Sequence, residues 1–102
     1  MKEQFSKGPW EIEHKIEDGD NIWWVNTPYV EPAAAKCFDP WNAQLIASAP
    51  DMYEALEEAI EAMEYALYYV KGLGLSAEGL LNESIEKAKK TLSKAQGLEE
   101  NV

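Results

Sequence analysis

The side chains best placed to do chemistry in this chain are carboxylates and phenols, and they recur at helical spacing. Glu54, Glu57, Glu58, Glu61 and Glu64 fall every one to three residues on one arc, and Tyr65, Tyr68 and Tyr69 continue that arc one turn further on. No basic residue lies between Asp51 and Glu64. Like charges at i,i+4, such as Glu54/Glu58 and Glu57/Glu61, each destabilise a helix by about 0.2–0.5 kcal/mol. A face selected for solubility alone would mix in lysine. Tyrosine offers broad, fairly rigid contact area with a polar tip. The arc is therefore a candidate surface for docking on a basic protein, with Glu54, Glu57, Glu61, Glu64, Tyr65, Tyr68 and Tyr69 as the residues that carry it. The competing reading is a solvated acidic face whose tyrosines pack within the chain.

A second constellation is aromatic. All four tryptophans fall in the first fifty residues. Trp23 and Trp24 are neighbours, so in a strand they point to opposite faces. One belongs in the core; the other is exposed, or covered by the Trp10 or Trp41 region. An exposed ring there could stack on a base, with Lys15 or Lys36 on a phosphate. The plainer reading makes all four tryptophans core residues.

Other chemistry is poorly supported. His14 is the single histidine and Cys37 the single cysteine. One of each gives no zinc-ligand spacing and no Cys-His dyad with a third orienting group. Cys37 reads as a buried thiol that cannot form an internal disulfide, which fits a reducing compartment. No glycine-rich phosphate loop is present. The expectation is a protein that is not an enzyme, with no catalytic residues, no metal and no cofactor.

Charge narrows the partners. Nineteen acids oppose nine bases, all nine are lysine, and the net charge is −10. Direct nucleic-acid binding normally needs a basic face rich in arginine, so none is expected. Acidity instead steers a protein toward basic surfaces. No apolar run approaches the roughly 20 residues that span a bilayer, and the first residues are polar, unlike a signal peptide. The expected location is the cytoplasm of a bacterial host cell, away from membranes.

The elements that must position these residues change character along the chain. Residues 9–17 alternate, with Trp10, Ile12, His14 and Ile16 on one face and Glu11, Glu13, Lys15 and Glu17 on the other, as in a half-buried strand. Asp18-Gly19-Asp20-Asn21 is turn chemistry, and Ile22–Val25 is the second strand. Pro28 and Pro32 bracket a short connection. Residues 33–38 are favoured as a third strand, although alanine is a poor strand former. Asp39 and Pro40 should start a short helix, Asp as N-cap and Pro at the first position, with Leu45 and Ile46 pointing inward. Pro50 should end or bend it, and Ser48 and Asp51 have the spacing of a capping box. Residues 51–71 should be a long helix whose buried stripe is Tyr53, Leu56, Ile60, Met63, Leu67 and Val70, widened by alanines 55, 59, 62 and 66. Gly72 and Gly74 make a turn. A second helix, capped by Ser76, buries Leu81, Ile85, Ala88, Leu92 and Ala95 and carries Glu83/Lys87 and Glu86/Lys90 pairs. The short loop makes the two an antiparallel hairpin. The expected fold is α+β: an N-terminal antiparallel β-meander of two or three strands packed on a helical hairpin, with a short helix between. It is read as one domain over 1–102, made of an aromatic β-region (1–38), a motif helix (39–49), the hairpin (50–97) and a frayed tail (98–102).

Two short motifs stand at the edges of the β-region: Ser6-Lys-Gly-Pro-Trp10 and Asn42-Ala-Gln-Leu-Ile-Ala-Ser-Ala-Pro50. In this order and spacing the chain resembles a family of small tailed-phage and prophage accessory proteins. Those proteins carry a Thr/Ser-x-Gly-Pro-Trp start, a short aromatic β-region, an Asn-Ala-x-Leu-Ile-Ala-x-Ala-Pro segment and a long helix. The chain departs from that pattern at Ser6, where Thr is commoner, and at Gln44, where a basic residue is frequent. The resemblance implies a structural role for Trp10, Asn42, Leu45, Ile46 and Pro50. It also implies an accessory gene product that modulates the host or counters its defences. The expected mechanism is occlusion of a host protein by the acidic, tyrosine-bearing arc, with mimicry of DNA charge as one form of it. One alternative is an oligomeric sponge that sequesters a small signalling nucleotide through Trp23, Trp24, Lys15 and Lys36. Another is a structural or regulatory homo-oligomer built through the helical hairpin.

Overall fold

The computed structural model describes residues 7–28 and 30–97, with the side chains of residues 30–32 excluded. Ser6 and the tail at 98–102 lie outside the described residues. The order is β1 (Glu11–Glu17), β2 (Asp20–Thr27), β3 (Val30–Cys37), α1 (Pro40–Ala47), α2 (Ala49–Val70) and α3 (Ser76–Ala95). The class is α+β. The chain divides into two compact units, residues 1–52 and 53–102.

In the first unit the strands form a three-stranded antiparallel sheet in the order β1-β2-β3. Glu17 pairs with Asp20 across a two-residue turn, Asp18-Gly19, in which both residues have positive φ (49° and 84°). Asp tolerates that region and Gly adopts it freely, and a turn of this hand matches the twist of the flanking strands. The third strand forms despite its alanines and runs from Val30, earlier than expected, so Pro32 lies inside it. β3 is an edge strand, where a missing N–H is tolerated. Its pairing with β2 shifts register between Val25 and Thr27.

One face of the sheet carries the rungs Ile12–Val25–Ala35 and His14–Trp23–Cys37. Helix α1 lies against all three strands. Val25, Cys37 and Ala43 form the buried centre, with Trp10, Ile12, Trp23, Ala35, Ile46 and Ala47 packed around it. Val25 is 0% exposed, and burying a side chain of its size contributes about 1.5–3 kcal/mol. The expected inward face of β1 is only partly buried: Ile12 is half-buried, whereas His14 and Ile16 are exposed and Glu17, expected on the polar face, is half-buried.

The start of α1 matches the sequence. Asp39 is the N-cap, with Oδ1 accepting from the backbone N–H of Trp41 (2.7 Å) and Asn42 (3.3 Å), and Pro40 follows it. The inward face does not match. Ala43, Ile46 and Ala47 face the sheet, whereas Leu45 is 59% exposed. Adjacent residues stand about 100° apart on a helix, so an eight-residue helix centred on Ala43 turns Leu45 outward. Ser48 ends α1: its N–H donates to Gln44 O and its hydroxyl donates to the same oxygen (2.8 Å). That hydroxyl therefore does not open a capping box with Asp51. Pro50 stands in the first turn of α2, where a missing N–H has no helical partner to lose.

In the second unit the expected stripe on α2 is present, with Tyr53 and Ile60 buried and Leu56, Met63, Leu67 and Val70 half-buried. Alanines 55, 59, 62 and 66 do not widen it; all four are exposed. On α3, Ile85, Ala88 and Leu92 are buried as expected, Ala95 is exposed and Gln96 is buried in its place. The buried Gln96 Nε2 donates to Tyr53 Oη, and Lys89 Nζ reaches Glu64 Oε2 at 2.8 Å. Rising numbers on α2 thus meet falling numbers on α3, and the hairpin is antiparallel. Its loop carries Gly72 and Gly74 at positive φ. Leu75, not Ser76, holds the N-cap position of α3, with no side-chain cap, and Glu78 Oε1 instead accepts the Gly72 N–H at 2.9 Å. Among the described residues the ion pairs are Lys15–Glu13 and Lys89–Glu64, so the expected Glu83/Lys87 and Glu86/Lys90 pairs are not closed.

Candidate functional site

The acidic arc lies on α2, opposite the buried stripe. Glu54, Glu58, Glu61 and Glu64 are exposed and Glu57 is half-buried. Glu64 differs from the others because Lys89 of α3 neutralises it. The three tyrosines at the end of the helix are 68%, 78% and 60% exposed at 65, 68 and 69. They order one another. Tyr65 Oη and Tyr69 Oη lie 3.2 Å apart, their rings meet edge-on at 5.2 Å, and Tyr68 meets Tyr69 edge-on at 5.4 Å. Edge-to-face contact is the arrangement that the ring quadrupole favours. The hydrogen bond from Tyr65 holds the Tyr69 phenol above its ordinary pKa of 10.0, and desolvation adds to the shift. Sequence spacing located this arc. The Tyr65–Tyr69 bond follows from i,i+4 spacing, whereas the Glu64–Lys89 pair needs the partner helix and had no local signal.

The Trp23/Trp24/Lys15/Lys36 set is not gathered at one place. Trp23 turns toward the α1 side, packs on the buried centre and stacks on His14 (4.7 Å, 11°). His14 Nε2 also contacts Asn21 Oδ1 at 2.9 Å. Trp24 is on the other face, where its Nε1 donates to Glu17 Oε2 at 2.8 Å and Lys36 Nζ lies 5.5 Å from its ring centre. Lys15 is drawn to Glu13 at 3.7 Å. Trp41, the other tryptophan of the motif region, is 79% exposed.

The two motifs do meet. A Cβ added to Gly8 would stand 3.1 Å from Pro50 Cβ, so the first motif rests closely on the end of the second and a side chain at Gly8 would crowd Pro50. Trp10 packs on the centre that contains Ala43. Of the motif residues, Trp10, Ile46 and Pro50 are buried or half-buried, while Asn42 and Leu45 face outward. With Lys36, Phe38, Asp39 and Ile46 they line an open groove of about 590 Å³. The sequence reading treated Asn42 and Leu45 as structural and missed this groove; the i,i+4 spacing of Trp41 and Leu45 was the available signal.

Among the described residues no group of three or more His, Cys, Asp or Glu side chains is arranged to hold a metal ion, and no helix is long and apolar enough to cross a membrane. Cys37 is a free, buried thiol.

Residues 1–99 match the family model described as Salmonella phage P22 protein Y8K6, and the chain belongs to that phage protein family. No curated protein and no solved structure matches the chain.

Proposed function

We propose that this phage protein is a non-enzymatic accessory factor that binds a host protein through the outer face of α2, and so modulates the host or counters its defences. The observation that carries the reading is the mutual ordering of Tyr65, Tyr68 and Tyr69 on a surface otherwise built of acids. Exposed tyrosines that already hold one another lose less freedom on docking than independent side chains would. Glu54, Glu58 and Glu61 supply the charge that steers a basic partner onto them. A row of carboxylates along a helix can imitate the charge of a nucleic-acid backbone, which would place the partner among nucleic-acid-binding proteins.

The test is capture from host-cell lysate by the protein and by a Glu54→Lys/Glu58→Lys/Glu61→Lys variant. These positions leave the Glu64–Lys89 pair and the half-buried Glu57 untouched. The expected result is a basic host protein retained by the native chain, released as salt rises, and absent from the variant, with unchanged helical circular dichroism. Equal capture by both chains would sink the reading.

A further inference from the structure

We propose that the groove between the end of β3 and α1 is the docking surface for a second copy of this chain. Its apolar wall is exposed among the described residues: Phe38 is 66% and Leu45 59% exposed beside the half-buried Ile46, and Trp41, outside the lining itself, is 79% exposed on α1 next to it. Trp41 and Leu45 are one helical turn apart and share the outward side of α1. Tryptophan is the residue most enriched among side chains that carry binding energy at interfaces.

Charge selects the occupant. Two chains of −10 each repel one another over most of their surface. From Pro40 to Pro50 there is no ionisable side chain, and the groove contributes one cation, Lys36, and one anion, Asp39. The patch is therefore neutral within an acidic molecule. It is also self-complementary. In a two-fold contact, residue i of one copy meets residue j of the other and the reverse, so Lys36 of each copy can face Asp39 of the other. Both groups are available for it. The N-cap bonds of Asp39 end on Oδ1 alone, leaving Oδ2 to an outside cation. Lys36 Nζ is held over the Trp24 and Phe38 rings (5.5 and 5.6 Å) and makes no ion pair among the described residues.

The inference is independent of the α2 reading, and salt separates the two. A contact between copies tightens as salt screens the repulsion of the two −10 chains, whereas an acid-steered complex on α2 weakens. The experiment is sedimentation equilibrium of the full chain over a concentration series at low and high salt, for the native protein, Trp41→Glu, Leu45→Glu and Lys36→Glu. The expected native mass is twice that of one chain, with tighter association in high salt. Each variant should fall to the mass of one chain with unchanged circular dichroism, since all three positions are exposed. A native chain that stays single throughout the series would overturn the proposal and give the groove to an occupant of other chemistry. A dimer retained by Trp41→Glu and Leu45→Glu would overturn it equally, by placing the contact elsewhere.

Discussion

From Pro40 to Pro50 the chain carries no ionisable side chain, whereas from Asp51 to Glu64 it carries six acids and no base. The first stretch spans α1 and the second lies within α2, and each helix leaves large side chains in solvent: Trp41 and Leu45 on α1, and Tyr65, Tyr68 and Tyr69 on α2 just past the acids. They differ in what accompanies those side chains. On α1 the exposed apolar groups lie in or beside a groove of no net charge. On α2 the exposed rings are bonded to one another beside a field of negative charge. A neutral apolar surface suits a partner of the same charge as the chain, and an acidic aromatic one suits a partner of opposite charge. Exposure alone is thus a poor guide to use; the charge around the exposed groups is what separates the two surfaces.

The sharpest way to break this contrast lies inside the first unit. Val25 is wholly buried and Leu45 is mostly exposed, yet both are aliphatic and both lie near α1. Val25→Ala should lower unfolding free energy by about 2–3 kcal/mol, as core truncations do. At concentrations low enough to keep the chain single, Leu45→Ala should change it by less than about 0.5 kcal/mol. Urea unfolding followed by tryptophan fluorescence measures both. An equal loss at the two positions in the single chain would mean that Leu45 is covered within its own chain and that the groove is closed.

The second unit offers a smaller effect. Tyr53 is buried and accepts a hydrogen bond from the buried amide of Gln96, while Tyr65 bonds a neighbour in solvent. Tyr53→Phe removes one partner of a buried pair and should cost about 1–2 kcal/mol. Tyr65→Phe should be almost neutral to stability in the same thermal melt. Comparable losses would show that the outer tyrosines belong to the fold rather than to a binding surface.

How legible these regions were follows from the range of the forces that build them. The Asp-Gly turn, the Asp39-Pro40 helix start and the Tyr53-to-Val70 stripe are all set by neighbours within four residues, and each stands where the sequence placed it. The departures depend on distant partners. Leu45 faces outward because the sheet selects Ala43 as the centre of α1, and no local rule ranks Ala43 above Leu45. The alanines of α2 stay exposed because α3 is met by the larger side chains. Glu64 is met by Lys89 of α3, for which the sequence offered no partner, while the expected Glu83/Lys87 and Glu86/Lys90 pairs are not closed. The acidic arc was legible because it is a one-helix pattern. The groove was not, because it joins the end of a strand to a helix face.

The smallest predicted effect tests whether the α2 surface is ordered before any partner arrives. The Tyr65 hydrogen bond raises the Tyr69 pKa above 10.0 because the bond favours the protonated phenol over the phenolate. A raised folded-state pKa in an acid means that the bond contributes fully below pH 10.0, the ordinary value, and is lost as pH climbs through the raised one. Phenolate absorbance during an alkaline titration should therefore show a component later than the ordinary tyrosine. Tyr65→Phe should move that component back toward 10.0, since it deletes the bonded hydroxyl. Tyr68→Phe should leave it in place, because Tyr68 meets Tyr69 only through the ring edge, a contact that phenylalanine keeps. If Tyr65→Phe leaves the titration unchanged, the two hydroxyls do not hold each other in solution. The tyrosines would then pay the full loss of side-chain freedom on docking, and the argument that distinguishes α2 from any other acidic helix would fall.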